Sequence, residues 1–148
     1  MMSEASETSR ILVAEDDVTS QYVFRTILQG AGYQVVIVDN GLQALEKARS
    51  EPPDVFLLDM MMPVMNGYEA AWRIVQDPVF DGIPIIALTA RAMLGDAERT
   101  MRAGCDDYIS KPIQRREFLE KVAYWLHREK QEWMPRRLSM RVPHRKTA

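Results

Sequence analysis

The sequence predicts an α/β fold, a parallel sheet with helices on both faces. Short β-branched apolar runs alternate five times with longer segments of helical period. The runs are nearly continuous in apolar residues, as strands buried on both faces require. The chain has 148 residues, 47% apolar and 27% charged, which is the length and composition of one ordinary globular domain.

Residues 1–8 read as a flexible polar leader, 9–127 as the domain, and 128–148 as a helical extension with a basic tail. The strands are Ile11-Leu12-Val13-Ala14, Val35-Val36-Ile37-Val38, Val55-Phe56-Leu57-Leu58, Ile83 to Leu88, and a weaker Tyr108-Ile109. The first helix, Thr19 to Leu28, repeats apolar residues at Tyr22, Val23 and Ile27 and ends at Gly30 and Gly32. The second, Gly41 to Ser50, stops before Pro52-Pro53. The third runs from Gly67 to Gln76, and the fourth from Ala92 to Ala103, closed by Gly104. The fifth runs from Gln114 to about Met134 and stops before Pro135. At that length it would extend roughly 31 Å, and its last turns would overhang the domain. The overhang reads either as a frayed linker or as a docking or dimerisation element beside Tyr108. It ends at Trp133 and Met134.

Several function classes fall away. One cysteine, Cys105, rules out an internal disulfide framework and four-cysteine zinc sites. It reads as a buried small apolar residue after a helix stop. His127 and His144 lie in a polar C-terminal stretch and lack metal-ligand spacing. The most apolar stretch, Val55 to Met65, is cut by Asp59 and Pro63, so no membrane span is expected. No secretory h-region opens the chain, and a reduced, cytoplasmic setting is the default. Net charge is −2. Residues 128–148 nevertheless hold Arg128, Lys130, Arg136, Arg137, Arg141, Arg145 and Lys146 against Glu129 and Glu132. The body is therefore acidic, which argues against nucleic-acid binding by the domain.

Open parallel sheets carry their active groups at the carboxyl ends of the strands. The first strand ends in Glu15-Asp16-Asp17, the third in Asp59, the fourth in Thr89-Ala90, and the fifth in Lys111-Pro112. Crowded carboxylates repel unless a cation joins them. An all-oxygen set suits Mg²⁺ or Mn²⁺. A carboxylate can also act as a nucleophile and form an acyl phosphate, with the Lys and Thr holding phosphoryl oxygens.

These residues sit in the stretches ILVAEDD (11–17), DVFLLDMMMPVMNGYEA (54–70), IPIIALTA (83–90) and GCDDYISKPI (104–113). Over roughly residues 9–127 the sequence resembles the receiver domains of two-component response regulators. The resemblance implies a flavodoxin-like (βα)5 fold. It implies phosphoryl transfer to Asp59 from a histidine kinase or a histidine phosphotransfer protein, followed by contact with a downstream protein through the Tyr108 face. Asp16 and Asp59 would ligate Mg²⁺, the Met61 backbone carbonyl would join them, and Glu15 would act through a water. Thr89 and Lys111 would bind the phosphoryl group next to Ala90, and Tyr108 would be the switch aromatic. The Lys111–Pro112 bond would be cis, and Gly67 would open the third helix. Met61 and Arg91, two residues after the acceptor and the switch Thr, would leave the phosphoryl group slow to hydrolyse. A stand-alone receiver and a receiver cut from a larger hybrid kinase or regulator both fit. An aspartyl-phosphate hydrolase would want a second acid where Met61 stands. A flavin carrier would need a phosphate loop where Glu15-Asp16-Asp17 repel one. Met60, Met61, Met62 and Met65 read as packing and loop filling, since thioethers suit soft metals. Trp72 and Trp125 likewise read as packing.

Overall fold

The computed structural model describes residues 8–90 and 95–143. The leader up to residue 7, Arg91, the expected start of the fourth helix at Ala92, and the tail from His144 lie outside the described residues. Five parallel strands form one sheet: β1 (Arg10–Ala14), β2 (Gln34–Val38), β3 (Val55–Asp59), β4 (Ile85–Thr89) and β5 (Asp107–Ser110), in the order β2-β1-β3-β4-β5. The helices are α1 (Val18–Gly30), α2 (Gly41–Ser50), α3 (Gly67–Gln76), α4 (Asp96–Ala103), α5 (Arg115–His127) and α6 (Lys130–Ser139). A 3-10 turn at Pro78–Phe80 precedes β4.

The sheet divides two apolar layers. Ile11, Val13, Leu57 and Leu88 point toward α1 and α5, where Phe24 stacks on Phe118 at 5.7 Å between ring centres. Leu12, Leu58, Ile85 and Ala87 point the other way, toward α2 and α3, where Phe56 meets Phe80 edge-on at 5.8 Å. Alternation along each strand supplies both layers. β3 and β4 are buried along their whole length, as their unbroken apolar runs require. β2 is an edge strand and only half-buried, so an apolar run there does not mean burial on both faces.

Local chemistry sets the helix ends. Asp17, Asn40 and Asn66 each accept a backbone N–H of the first turn of α1, α2 and α3. Gly104 closes α4 with φ 114°, and a Cβ there would collide with Val75.

The C-terminal region departs from the expected single helix. α5 ends at His127, Arg128 and Glu129 are extended, and α6 starts at Lys130 with Pro135 inside it. The overhang is absent. α6 folds back under the amino ends of β4 and β5, and Trp133 packs edge-on to Trp125 at 5.9 Å. Neither Gly nor Pro marks the break at 128–129. Packing imposes it: Trp133 is 5% exposed and Arg137 0%. That burial also offsets the hydrogen bond Pro135 cannot make. The element therefore lies at the pole opposite the carboxyl ends of the strands, not beside Tyr108. Trp72, expected to pack, is 40% exposed.

Candidate functional site

β1 and β3 are neighbours, yet their following helices go to opposite faces of the sheet. A crevice opens between such strands at their carboxyl ends. Glu15, Asp16 and Asp59 meet there, with one carboxylate oxygen of each within 4.8 Å of the others. Glu15 is almost fully buried, Asp59 is 7% exposed, and Asp16 faces solvent. Asp17, the third acid of the run, is occupied in capping α1.

Lys111 reaches across from the end of β5. Its ammonium donates to Glu15 Oε1 and to Asp59 Oδ2, both at 2.9 Å. Burial pushes the Glu15 carboxyl above its ordinary value, against the pull of the Lys111 ammonium and the Asp17 N–H. Burial alone would lower the Lys111 pKa, but the two carboxylates outweigh it and raise it. Lys111 is therefore held charged against an acid pair that needs a cation. The Lys111–Pro112 peptide is cis.

The loop after β3 shapes the other wall. The Met61 N–H donates to Asp59 Oδ1 at 3.1 Å. Its side chain is 62% exposed, whereas Met60 and Met65 are buried, so loop filling describes those two and not Met61. Gly67 lies so close beneath the site that a Cβ would collide with the Asp59 carbonyl oxygen and sit 2.8 Å from the Met60 Cα. Only glycine fits there.

A cavity of about 440 Å³ adjoins Asp59, lined by Thr89, Ala90, Lys111, Tyr68, Asp96 and Arg99 among others. The Thr89 hydroxyl donates to Asp96 Oδ2. The Tyr68 hydroxyl donates to the other oxygen of Asp96. Asp96, Tyr68 and Arg99 were not legible as site residues, because nothing in their spacing marks them. Tyr108 is half-buried on β5, where the Lys121 ammonium lies 5.0 Å from its ring centre and donates to its carbonyl at 2.6 Å.

A buried acid with two acidic neighbours, a lysine across from it and a hydroxyl on the next strand, all on this sheet order, define the receiver class of signalling domain. The chain belongs to the response regulator receiver domain family, whose model matches residues 11–123. It is therefore a receiver of the two-component type, a signalling domain. It is 38% identical to the polar-differentiation response regulator DivK of Brucella anthropi over 116 residues, covering 78% of this chain and 94% of that protein. It resembles the receiver domain of the sensor histidine kinase PA1611 of Pseudomonas aeruginosa, crystallised with a magnesium ion in its active-site cleft. That match has a TM-score of 0.77 and 36% identity, and covers 82% of this chain and 99% of that one. It also resembles the Ssk1 receiver domain in its co-crystal with the histidine phosphotransfer protein Ypd1 of Saccharomyces cerevisiae. There the TM-score is 0.74 with 25% identity, over 80% of this chain and 88% of that one. Among the described residues, no helix is long and apolar enough to cross a membrane.

Proposed function

We propose that the chain accepts a phosphoryl group on Asp59 from a phosphohistidine of a histidine kinase or histidine phosphotransfer protein, and passes the signal on by protein contact. The observation that carries this reading is Lys111, shared at 2.9 Å between Glu15 and Asp59 inside a three-carboxylate cluster. The Asp59 carboxylate attacks phosphorus, the bond from phosphorus to the imidazole nitrogen breaks, and an acyl phosphate forms. Lys111 leaves the carboxylate and pairs with a phosphoryl oxygen. The Met61 N–H, already aimed at Asp59, steadies the acceptor. The all-oxygen cluster fits a hard divalent cation, and Mg²⁺ or Mn²⁺ would neutralise phosphoryl charge there. Asp16 and Asp59 would hold it directly, with the Met61 carbonyl, and Glu15 would act through a water. The ion pair Glu15 makes with Lys111 is compatible with that indirect role.

The phosphohistidine would arrive over α1, where Val18 and Tyr22 are 76% and 69% exposed. A groove beside them, between Val23 of α1 and the Pro112-Ile113 turn, adjoins Lys111. Thr89 and Tyr108 would carry the change to the downstream face.

Incubation with acetyl phosphate and Mg²⁺, followed by intact mass and site mapping, tests the reading. One phosphoryl group at Asp59 is expected, lost on chelation or in Asp59→Asn. Labelling of Asp59→Asn at the wild-type level would overturn it.

A further inference from the structure

A threonine hydroxyl carries one hydrogen and can give it to one acceptor at a time. In the structure the Thr89 hydrogen goes to Asp96. Asp96 opens α4 but does not cap it. The N-cap is Gly95, at φ 80°, with no side-chain cap bond. An aspartate at a helix start ordinarily turns to its own backbone N–H groups. Asp96 turns inward instead, is 7% exposed, and takes hydroxyls from Thr89 and Tyr68, one on each oxygen. Burial and then the Asp96 carboxylate push the Tyr68 phenol up to about 12, so it stays a donor. Arg99, one turn along α4, lies with Cζ 3.9 Å from the Tyr68 ring centre. One carboxylate thus ties the end of β4 and the start of α3 to the first turn of α4.

We propose that Asp96 is a positioning residue that competes with the phosphoryl group on Asp59 for the Thr89 hydrogen. The proposal rests on the reading of Asp59 as phosphoacceptor. When Thr89 donates to a phosphoryl oxygen, its bond to Asp96 breaks, and Asp96 keeps Tyr68 alone. The first turn of α4 then loses that bond to β4. The far end of α4 stays fixed, because Arg136 of α6 donates to the Met101 and Cys105 carbonyls at 2.8 and 3.2 Å. The change is confined to the amino end of α4. The bond between Thr89 and Asp96 sets how far the unphosphorylated arrangement is favoured.

Beryllofluoride with Mg²⁺, a stable stand-in for the phosphoryl group, tests this on the full chain by titration calorimetry. Removing the competing acceptor in Asp96→Ala should tighten beryllofluoride binding by about tenfold, the scale of one net charge-assisted hydrogen bond. In a Thr89→Ala background the same change should have no effect, because the contested hydrogen is gone. Asp96→Asn, which keeps the side-chain volume, runs the same cycle if the alanine variant does not fold, with a smaller shift in the same direction. Equal effects in both backgrounds, or weaker binding in Asp96→Ala or Asp96→Asn, would overturn the competition. Failure of the wild-type chain to bind beryllofluoride would instead overturn the reading of Asp59.

Discussion

Replacing Arg137 by alanine is expected to cost about 3–5 kcal/mol, the range for breaking a buried ion pair from one side. Its side chain is wholly buried, and its partner Asp106 is 3% exposed. The guanidinium donates to the carbonyls of Phe80 and Ile83 at 3.1 and 2.7 Å and to Asp106 Oδ2 at 2.8 Å. Burial raises the Asp106 carboxyl above its ordinary value, and the Arg137 charge is the main pull the other way. Without Arg137, Asp106 keeps the Ile85 N–H at 2.8 Å and a loose approach of Arg136 at 4.0 Å. That is too little to hold a charge in the interior. Urea unfolding followed by circular dichroism measures the loss as a lower midpoint at unchanged slope. The thermal midpoint should fall by about 10 °C, at roughly 2–4 °C per kcal/mol for a chain of this size. The loss should shrink on acidification. A carboxyl whose folded pKa is raised takes up its proton first in the folded state, so stability is regained as pH falls through the raised value. Asp106→Asn should abolish that recovery. A loss under about 1 kcal/mol, the scale of a solvent-exposed pair, would refute the reasoning. Truncation after His127 should lose stability by the same route while Asp59 is still phosphorylated, because α6 lies at the opposite pole.

Three other outcomes follow from single residues. Val64 sits at φ 67° and is 77% exposed, a left-handed conformation that costs a β-branched residue about 1–2 kcal/mol. Val64→Asn should therefore raise the thermal midpoint by a few degrees in calorimetry, and no change would show that the loop relaxes freely. Met61→Asn should shorten the acyl-phosphate lifetime, measured as decay of labelled protein, because an amide can orient the attacking water and a thioether cannot; equal decay would discard that role. The raised Glu15 carboxyl gives a pH signature in Mg²⁺-free protein. Above the ordinary value of 4.5, folded Glu15 holds protons that the unfolded chain has released. Stability should fall as pH rises through that window, and Glu15→Gln should flatten the slope in a urea series.

The acid cluster was legible because its members end strands. An apolar run stops where the sheet stops, so Glu15, Asp59 and Thr89 are each the first polar residue after a readable run, and Lys111 follows its run after a single Ser110. Parallel strands then bring those ends to one rim without further information. The direction of a side chain was not legible. That Thr89 donates to Asp96, and Tyr68 to the same carboxylate, depends on where α3 and α4 begin in space. The residues between Thr89 and Gly95 carry no pattern that fixes it. Likewise the burial of Glu15 follows from the packing of β1 against β3, and no single stretch of sequence states it.

Along the chain the C-terminal arginines make a basic tail, and the fold gives Arg136, Arg137 and Arg141 partners within the domain. In a parallel α/β domain the helices run against the strands. Helix amino ends therefore gather at the carboxyl pole of the sheet, and helix carboxyl ends gather at the other. The first pole carries the positive ends of the helix dipoles and receives the acid cluster. The second presents the carbonyls of the last helical turns, whose second lone pairs can accept further donors. α6 and the residues just after it deliver arginines to carbonyls at this pole. Arg136 takes Met101 of α4, Arg137 takes the carbonyls leading into β4, and Arg141 takes Val75 of α3 at 2.8 Å and pairs with Asp81. Charge counted along the chain cannot show this, because each arginine meets a carbonyl more than thirty residues away. α6 also lies beyond the residues matched by the family model. What it adds is a basic cap over the carboxyl ends of the helices, while the proposed chemistry stays with the carboxylates at the other pole.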